Sequence, residues 1–328
     1  MKRLAPRAPE VRANIEQIRL RDRRRFLQAA LGGAAAASLA QWAPSPTLAK
    51  QKAAPLAGTK LNDRVSVISG AGANVVAISG PEGALLVDGG LAARAGELLK
   101  LALHETGAKR VHTLVNTHWH PEQTGSNERL GKAGTKIFAH ENTKLWLGYA
   151  NPVPLTDETY GPLPAKALPN ETTFGAPGTL DFGGQRAEYG YLLQAHTDGD
   201  LYVFLPESNV LVAGGVVSSE GWPVIDYQTG GWIGGLVEGL KTLIEIGDAD
   251  TQIVPANGPM VKRADLEAQR DMYAAIFDRL SKLLRKGLGP DEVVAQNPTQ
   301  EFDAKWGNPA AFTTLAFKSL WGHMAPDA

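Results

Sequence analysis

Cysteine is absent from the 328-residue sequence, which excludes disulfide bonds, a thiol nucleophile and any thiolate metal site. A large excess of charge of either sign is also absent, since 33 Lys and Arg stand against 34 Asp and Glu. Together with 43% hydrophobic residues, this balance argues against a wholly disordered chain and against a multi-span membrane protein. The length suffices for one large domain or two small ones with a buried core.

The charges near the N-terminus are distributed very unevenly. Residues 1–25 carry nine basic and three acidic side chains, whereas residues 26–49 carry no charge and are rich in Ala and Gly. A basic segment followed by an apolar segment and small residues is typical of an export signal. The sequence RRRFLQ at residues 23–28 resembles the twin-arginine consensus, although Asp22 stands where Ser or Thr is commoner.

We therefore predict that residues 1–49 form a twin-arginine-like signal peptide, cleaved after Ala49. This segment would direct the chain to the twin-arginine export machinery, and the mature protein would be periplasmic or otherwise exported. After cleavage we expect no stable membrane association. A basic amphipathic arm, or an anchor formed by the uncharged run, is the alternative interpretation.

Removal of the predicted signal changes the charge balance of the protein. The remaining 279 residues hold 24 basic and 31 acidic side chains, a net charge of −7. They show no basic stripe and no aromatic residues interleaved with basic ones. We therefore predict a small-molecule substrate and no nucleic-acid partner.

Short apolar runs separated by turns begin at Val65, and they are typical of consecutive β-strands. Further on, strand-like runs alternate with helix-like ones, which indicates a mixed α/β fold. Residues 149–172 are rich in Pro, Gly and Asn and predict a long surface loop. From residue 263 the apolar spacing becomes helical, so we predict a helical extension at residues 263–328.

Three of the seven histidines lie where strands are predicted to end. His118 and His120 directly follow a strand-like run, and their i, i+2 spacing can turn both imidazoles to one side, as two metal ligands require. His196 lies at another junction between strand and loop. The remaining histidines fit surface or structural roles: His104, His112, His140 and His323.

A resemblance to a known family rests on motifs that follow one another in a fixed order. They read THWHPEQTGSN, AHENT, AHTDGDLYVF, VLVAGG and IVPANGP, preceded by ALLVDGG. This series resembles the successive motifs of the metallo-β-lactamase superfamily. The resemblance implies an αββα sandwich over residues 50–262, a metal site at one edge, and helices of residues 263–328 packed on the same domain.

Carried over residue by residue, the resemblance implies a complete first metal site and an altered second one. The first site's ligands would be His118, His120 and His196. At the second site this chain departs from the family at four positions. Glu122 replaces an Asp, Gln123 and Asn257 each replace a His, and Gly215 replaces the bridging Asp or Cys.

Three neutral imidazoles and a water would complete a tetrahedral zinc site that holds hydroxide at neutral pH. We therefore predict an exported hydrolase with one zinc ion that acts on an ester, lactone or amide-like small molecule. Glu122 is the candidate general base. Asp88 and Asp200 are candidates to orient the ligand imidazoles through hydrogen bonds. The alternative is a non-catalytic binding or accessory protein with a degenerate site; the confinement of the changes to one metal site favours the enzyme.

Overall fold

The computed structural model describes residues 55–182 and 185–324 of the chain. The predicted signal peptide at residues 1–49 lies outside this part. None of the described helices combines the length and the apolar character that a membrane span requires.

Two large β-sheets dominate the described residues. The strands are β1 (Ala57–Lys60), β2 (Val65–Ser69), β3 (Val75–Gly80), β4 (Gly83–Val87), β5 (Val111–Val115), β6 (Lys136–His140), β7 (Asn151–Pro152), β8 (Thr159–Tyr160), β9 (Glu171–Thr173), β10 (Gly178–Phe182), β11 (Gln185–Leu192), β12 (Asp200–Leu205), β13 (Val210–Gly214) and β14 (Gln252–Pro255). The first sheet has the order β1-β2-β3-β4-β5-β6-β9, and the second has the order β10-β11-β12-β13-β14. Strands β7 and β8 form a separate short hairpin.

The central strands are buried on both faces, which explains their nearly continuous apolar sequence. Val76 and Leu85 point into the core between the sheets, where they meet residues of the second sheet such as Val203. Their neighbours Ala77 and Leu86 point the other way, into the layer beneath a helix. Because side chains alternate along a strand, one apolar run supplies two packed layers.

Helices cover the outer face of each sheet. They are α1 (Ala95–Thr106), α2 (Pro121–Thr124), α3 (Asn127–Lys132), α4 (Glu141–Leu147), α5 (Ile233–Ile244), α6 (Arg263–Arg285), α7 (Pro290–Ala295), α8 (Asp303–Trp306) and α9 (Ala310–Met324). Leu98 of α1 packs on the first sheet. Leu236 of α5, Ile276 of α6 and Phe317 of α9 share one cluster with Leu211 of the second sheet. The predicted αββα architecture and its C-terminal helices are confirmed.

The predicted surface loop at residues 149–172 is more ordered than its composition indicates. It contains the β7–β8 hairpin, and β9 begins within it and pairs in parallel with β6, with Phe138 opposite Glu171. Strand β9 has the polar sequence Glu-Thr-Thr, so hydrogen bonding along the sheet edge holds it in place without an apolar pattern.

The topology brings the ends of several strands to one edge of the sandwich. Strands β4 and β5 are parallel, as are β13 and β14, so their carboxyl ends lie together in each sheet. Asp88 follows β4, residues 116–120 follow β5, Gly215 follows β13, and Asn257 lies just beyond β14. His196 lies in the turn between β11 and β12, whose start is adjacent to the end of β13. All of the candidate ligands therefore meet at this edge.

Candidate metal centre

His118, His120 and His196 form one compact cluster. Each offers a ring nitrogen, and the three nitrogens lie within 4.8 Å of one another. The rings are nearly perpendicular, with centroids 4.6–4.9 Å apart and interplanar angles of 82–90°. All three residues are buried.

Hydrogen bonds fix which nitrogen of His120 and of His196 faces the centre. Nδ1 of His196 donates to the carbonyl oxygen of Val224 at 2.8 Å, which leaves a lone pair on Nε2. Nε2 of His120 donates to a carboxylate oxygen of Asp226 at 3.1 Å, which leaves a lone pair on Nδ1. These two inner nitrogens face each other at 3.1 Å. Two lone pairs in this position repel each other unless a cation lies between them.

His118 is oriented through a chain of two residues. The hydroxyl of Thr117 donates to Oδ2 of Asp88 at 2.9 Å, so its oxygen accepts from Nδ1 of His118 at 3.0 Å. Asp88 also accepts from the Thr117 backbone N–H at 2.8 Å. Asp88 has a φ of 67°, which is uncommon for a residue other than glycine and is held here by these contacts. The inner nitrogen of His118 is therefore Nε2.

The donor set fits a divalent metal ion such as zinc. Burial and the neighbouring histidines lower the pKa of His118 well below its usual value, and burial together with His120 lowers the pKa of His196 to about 3. Both rings are therefore neutral at neutral pH, which is the form that binds metal. Two nitrogens bound to one tetrahedral zinc ion at about 2.0–2.1 Å lie about 3.3 Å apart, close to the observed separation of His120 and His196.

The sequence predicts that Asp88 and Asp200 orient the imidazoles through hydrogen bonds, but neither carboxylate bonds to an imidazole directly. Asp88 acts through Thr117. Asp200 accepts from the backbone N–H groups of His196 at 2.7 Å and Thr197 at 2.8 Å, and from the Thr197 hydroxyl at 2.9 Å. It thus fixes the main chain of the ligand rather than its ring. Burial raises the pKa of Asp88 to about 7 and that of Asp200 to about 8, and a positive ion in the centre would favour both carboxylate forms.

Asp226 is a site residue that the sequence does not reveal. It receives the outer N–H of His120 and the hydroxyl of Thr229, the latter at 2.6 Å. The Trp119 indole N–H donates in turn to the Thr229 hydroxyl at 3.1 Å. Although burial favours the neutral acid, the hydrogen bonds from His120 and Thr229 hold the pKa of Asp226 below its usual value. The one local signal is the Asp-x-x-Thr spacing, which caps a turn and does not by itself indicate a metal site.

Comparison with known proteins agrees with this geometry. The sequence profile of the metallo-beta-lactamase superfamily matches residues 69–295. The chain belongs to this superfamily. The linear primary-alkylsulfatase of Pseudomonas sp. is 24% identical over 258 residues, which are 66% of this chain and 48% of that protein. The chain thus spans about half the length of this curated relative.

Solved structures show the same superfamily fold. The stereoselective inverting sec-alkylsulfatase Pisa1 from Pseudomonas sp. superposes with a TM-score of 0.62 at 19% identity, over 83% of this chain and 51% of its own. The metallo-beta-lactamase from Pontibacter korlensis superposes with a TM-score of 0.55 at 21% identity, over 67% of this chain and 99% of its own. At these identities the likeness concerns the fold.

The four positions that the sequence predicts to depart from the metallo-β-lactamase pattern all line the same cleft as the histidines. They are Glu122, Gln123, Gly215 and Asn257. The Asn257 amide donates to the carbonyl oxygens of Gly72 at 2.9 Å and of Ala256 at 3.2 Å. Its nitrogen therefore binds the protein's own main chain.

Gly215 is required by the packing of the first site. A Cβ atom built on it would lie 2.3 Å from Cδ2 and 2.7 Å from Nε2 of His196. A side chain at position 215 would therefore collide with the His196 imidazole unless that ring moved.

The cleft encloses about 620 Å³, including space open to solvent. Its lining includes four apolar residues that lie close together in sequence, here called the apolar wall: Val217, Trp222, Pro223 and Val224. Trp222 is held by stacking on Phe312 of α9, with ring centroids 4.6 Å apart, and by donating to the Gly307 carbonyl at 3.0 Å. Residues of the C-terminal helical region therefore brace one side of the cleft.

The other four histidines lie outside the cleft. His140 caps α4, where its Nδ1 accepts from the Asn142 N–H, and its ring stacks on Tyr191. His104, His112 and His323 are also absent from the cleft lining.

Proposed function

We propose that the protein is a hydrolase that uses one zinc ion held by His118, His120 and His196. The convergence of three imidazole lone pairs, each fixed by a hydrogen bond on the opposite ring nitrogen, carries the proposal. Zinc bound there would polarise the scissile carbonyl and lower the pKa of a coordinated water to about 7. The substrate would be an ester, a lactone or an amide-like small molecule.

The protein's own groups have distinct tasks in this proposal. Glu122 lies on the short helix α2 that starts directly after His120, and it lines the cleft, so it can accept a proton from the attacking water and deliver it to the leaving group. The braced Trp222 and its apolar neighbours would hold the non-reacting part of the substrate and exclude bulk water from it.

Two measurements on the protein without its signal test this proposal. Metal analysis should give close to one equivalent of zinc; no metal, or a firmly bound pair of ions, would contradict it. A panel of ester, lactone, lactam and phosphodiester substrates should then reveal turnover. An accessory protein would bind metal and turn over none of them.

Exchange of Glu122 for Gln tests the base separately. The amide cannot accept the proton, so we expect turnover to fall about 10²–10⁴-fold while the zinc content is unchanged. Unchanged turnover would remove Glu122 from the mechanism.

We also propose that residues 1–49 export the protein through the twin-arginine machinery. The support is the charge pattern of this segment and its RRRFLQ sequence. Cell fractionation of the full chain and of its Arg23→Lys, Arg24→Lys variant tests it. Equal export of both would contradict the proposal.

A further inference from the structure

Within the part of the chain that the structure describes, the cleft does not have the positively charged side chains that are expected of a site that binds an anion. Neither Lys nor Arg lines the cleft among the described residues, whereas Glu122 and Glu220 both do. The other lining groups are imidazoles, amides, a hydroxyl and apolar side chains. Phosphate and sulfate groups are ordinarily bound in proteins by Arg, Lys or several N–H donors.

The carboxylate of Glu220 lies on the rim next to the altered half of the site. A Cβ atom built on Gly258 would lie 3.1 Å from the Glu220 carboxyl carbon, so this side chain packs over the segment that carries Asn257. The neighbouring Ser219 hydroxyl donates to the Asn257 carbonyl at 2.9 Å, which ties the two loops together. Glu220 is exposed and forms no ion pair with any residue in the described ranges.

The two carboxylates balance the charge that a single divalent ion would bring. A site with two ions and no such carboxylates would keep a strong positive field, whereas here the double charge of one ion meets two negative side chains. A substrate anion would therefore find no net positive charge and no cationic side chain, and Glu220 would repel it at the rim.

We propose that the cleft selects substrates with no negative charge beside the scissile bond. The substrate class is an uncharged or cationic ester, lactone or amide, whose apolar part lies on the wall formed by Val217, Trp222, Pro223 and Val224. This inference rests on the hydrolase proposed above. Hydrolysis adds one water across the acyl bond and releases an acid and an alcohol or amine, or opens a lactone to a single hydroxy acid, so no further reactant is needed. A thioester reacts in the same way and releases a thiol, so thioesters can serve as probes. Sulfate monoesters, the substrates named for two relatives, fall outside this class.

Three thioacetates that differ mainly in charge test the proposal on the zinc-loaded protein. They are acetylthiocholine, its uncharged isostere 3,3-dimethylbutyl thioacetate, and the anionic S-acetyl-3-mercaptopropanesulfonate. Because the protein has no cysteine, a thiol reagent reads product release without a protein background. We expect kcat/KM for the first two to exceed that for the anion by about tenfold or more. Equal or faster turnover of the anion would overturn the proposal.

Charge reversal at Glu220 tests whether this residue causes the preference against anionic substrates. Glu220→Lys should raise kcat/KM for the anion relative to the uncharged ester by about tenfold, and added salt should reduce this gain. Glu245→Lys makes the same charge change at an exposed position outside the cleft and should leave the ratio unchanged. A gain of the same size in both variants would show that net charge, and not the cleft, sets the preference.

Binding of unreactive ligands separates this inference from the proposed activity. Calorimetry with benzyltrimethylammonium, N-benzylacetamide and benzylsulfonate should show the sulfonate binding about tenfold more weakly than the others. This preference without any turnover would contradict the hydrolase and leave the charge selectivity standing. Equal binding of all three ligands, or binding of none, would overturn the charge selectivity.

Discussion

In one half of the centre, each of the three histidines has its outer nitrogen bound to a fixed partner: Thr117, Asp226 or the Val224 carbonyl. In the facing half, Gly215 carries no side chain, and the Asn257 amide nitrogen is hydrogen-bonded to the main chain. The first half presents three lone pairs to one point, whereas the second presents amides and the carboxylates of Glu122 and Glu220.

The difference between the halves is one of geometry as well as ligand chemistry. A weak ligand can still bind an ion if it has room to approach it, but the space beside Gly215 is filled by the His196 ring. A side chain at position 215 would need part of the volume that the His196 ring fills. We therefore expect that a metal ligand could be added at position 215 only if His196 moved.

The largest expected effect is the loss of the intact half. His118→Ala or His196→Ala removes one of three protein ligands, so the zinc content of the purified protein should fall from near one equivalent to near zero. Mass-spectrometric metal analysis after dialysis measures this. His104→Ala changes an exposed histidine and should retain the metal. Retention of zinc by both cluster variants would show that the three rings are not the ligands.

Gly215→Asp tests whether the two halves compete for space. The new side chain would displace the His196 ring, so we expect zinc affinity to fall about a hundredfold and no second ion to bind. Chelator competition gives the affinity, and metal analysis gives the stoichiometry. Gly322→Asp places the same side chain in open space and should leave both unchanged. Two equivalents of metal in Gly215→Asp would refute the packing argument.

The same two halves show what a sequence can and cannot predict. The clustering of the three histidines was predictable because their positions at strand ends are local features and ordered motifs place them, and the same motifs place the four cleft positions Glu122, Gln123, Gly215 and Asn257. Asp226 was not, because it lies 106 residues from His120 in a loop without periodicity. The close approach of His196 to Gly215 could not be predicted, because it depends on the positions of two strand ends in space. Strand β9 could not be predicted either, because it is held by hydrogen bonding along the sheet edge and has no apolar pattern.

Asp226→Asn tests how much of the zinc affinity depends on the hydrogen bond that His120 donates to Asp226. The amide keeps the size of the side chain but removes the charge that holds the outer N–H of His120, so zinc should bind about 10–100-fold more weakly. Chelator competition measures the change. Asp157→Asn, on the exposed β7–β8 turn, should have no effect. An affinity equal to that of the unmodified protein would mean that packing alone orients His120.

The smallest expected effect is the response of zinc affinity to pH. A free imidazole has a pKa of about 6.5, so two such ligands would together weaken metal binding up to about a hundredfold for each pH unit below that value. In the folded protein the pKa of His196 is lowered to about 3 and that of His118 is also far below its usual value. Protons therefore do not compete for these two nitrogens in mildly acidic solution.

We accordingly expect these two rings to contribute no loss of affinity between about pH 8 and pH 5.5. Competition with a chelator of known protonation constants measures the slope across this range. A slope of about two protons per ion below pH 6.5 would show that both rings protonate as free histidines do, and that burial does not keep them neutral. A shallow slope would show that the folded protein itself keeps His118 and His196 neutral, because burial lowers both pKa values before any ion binds.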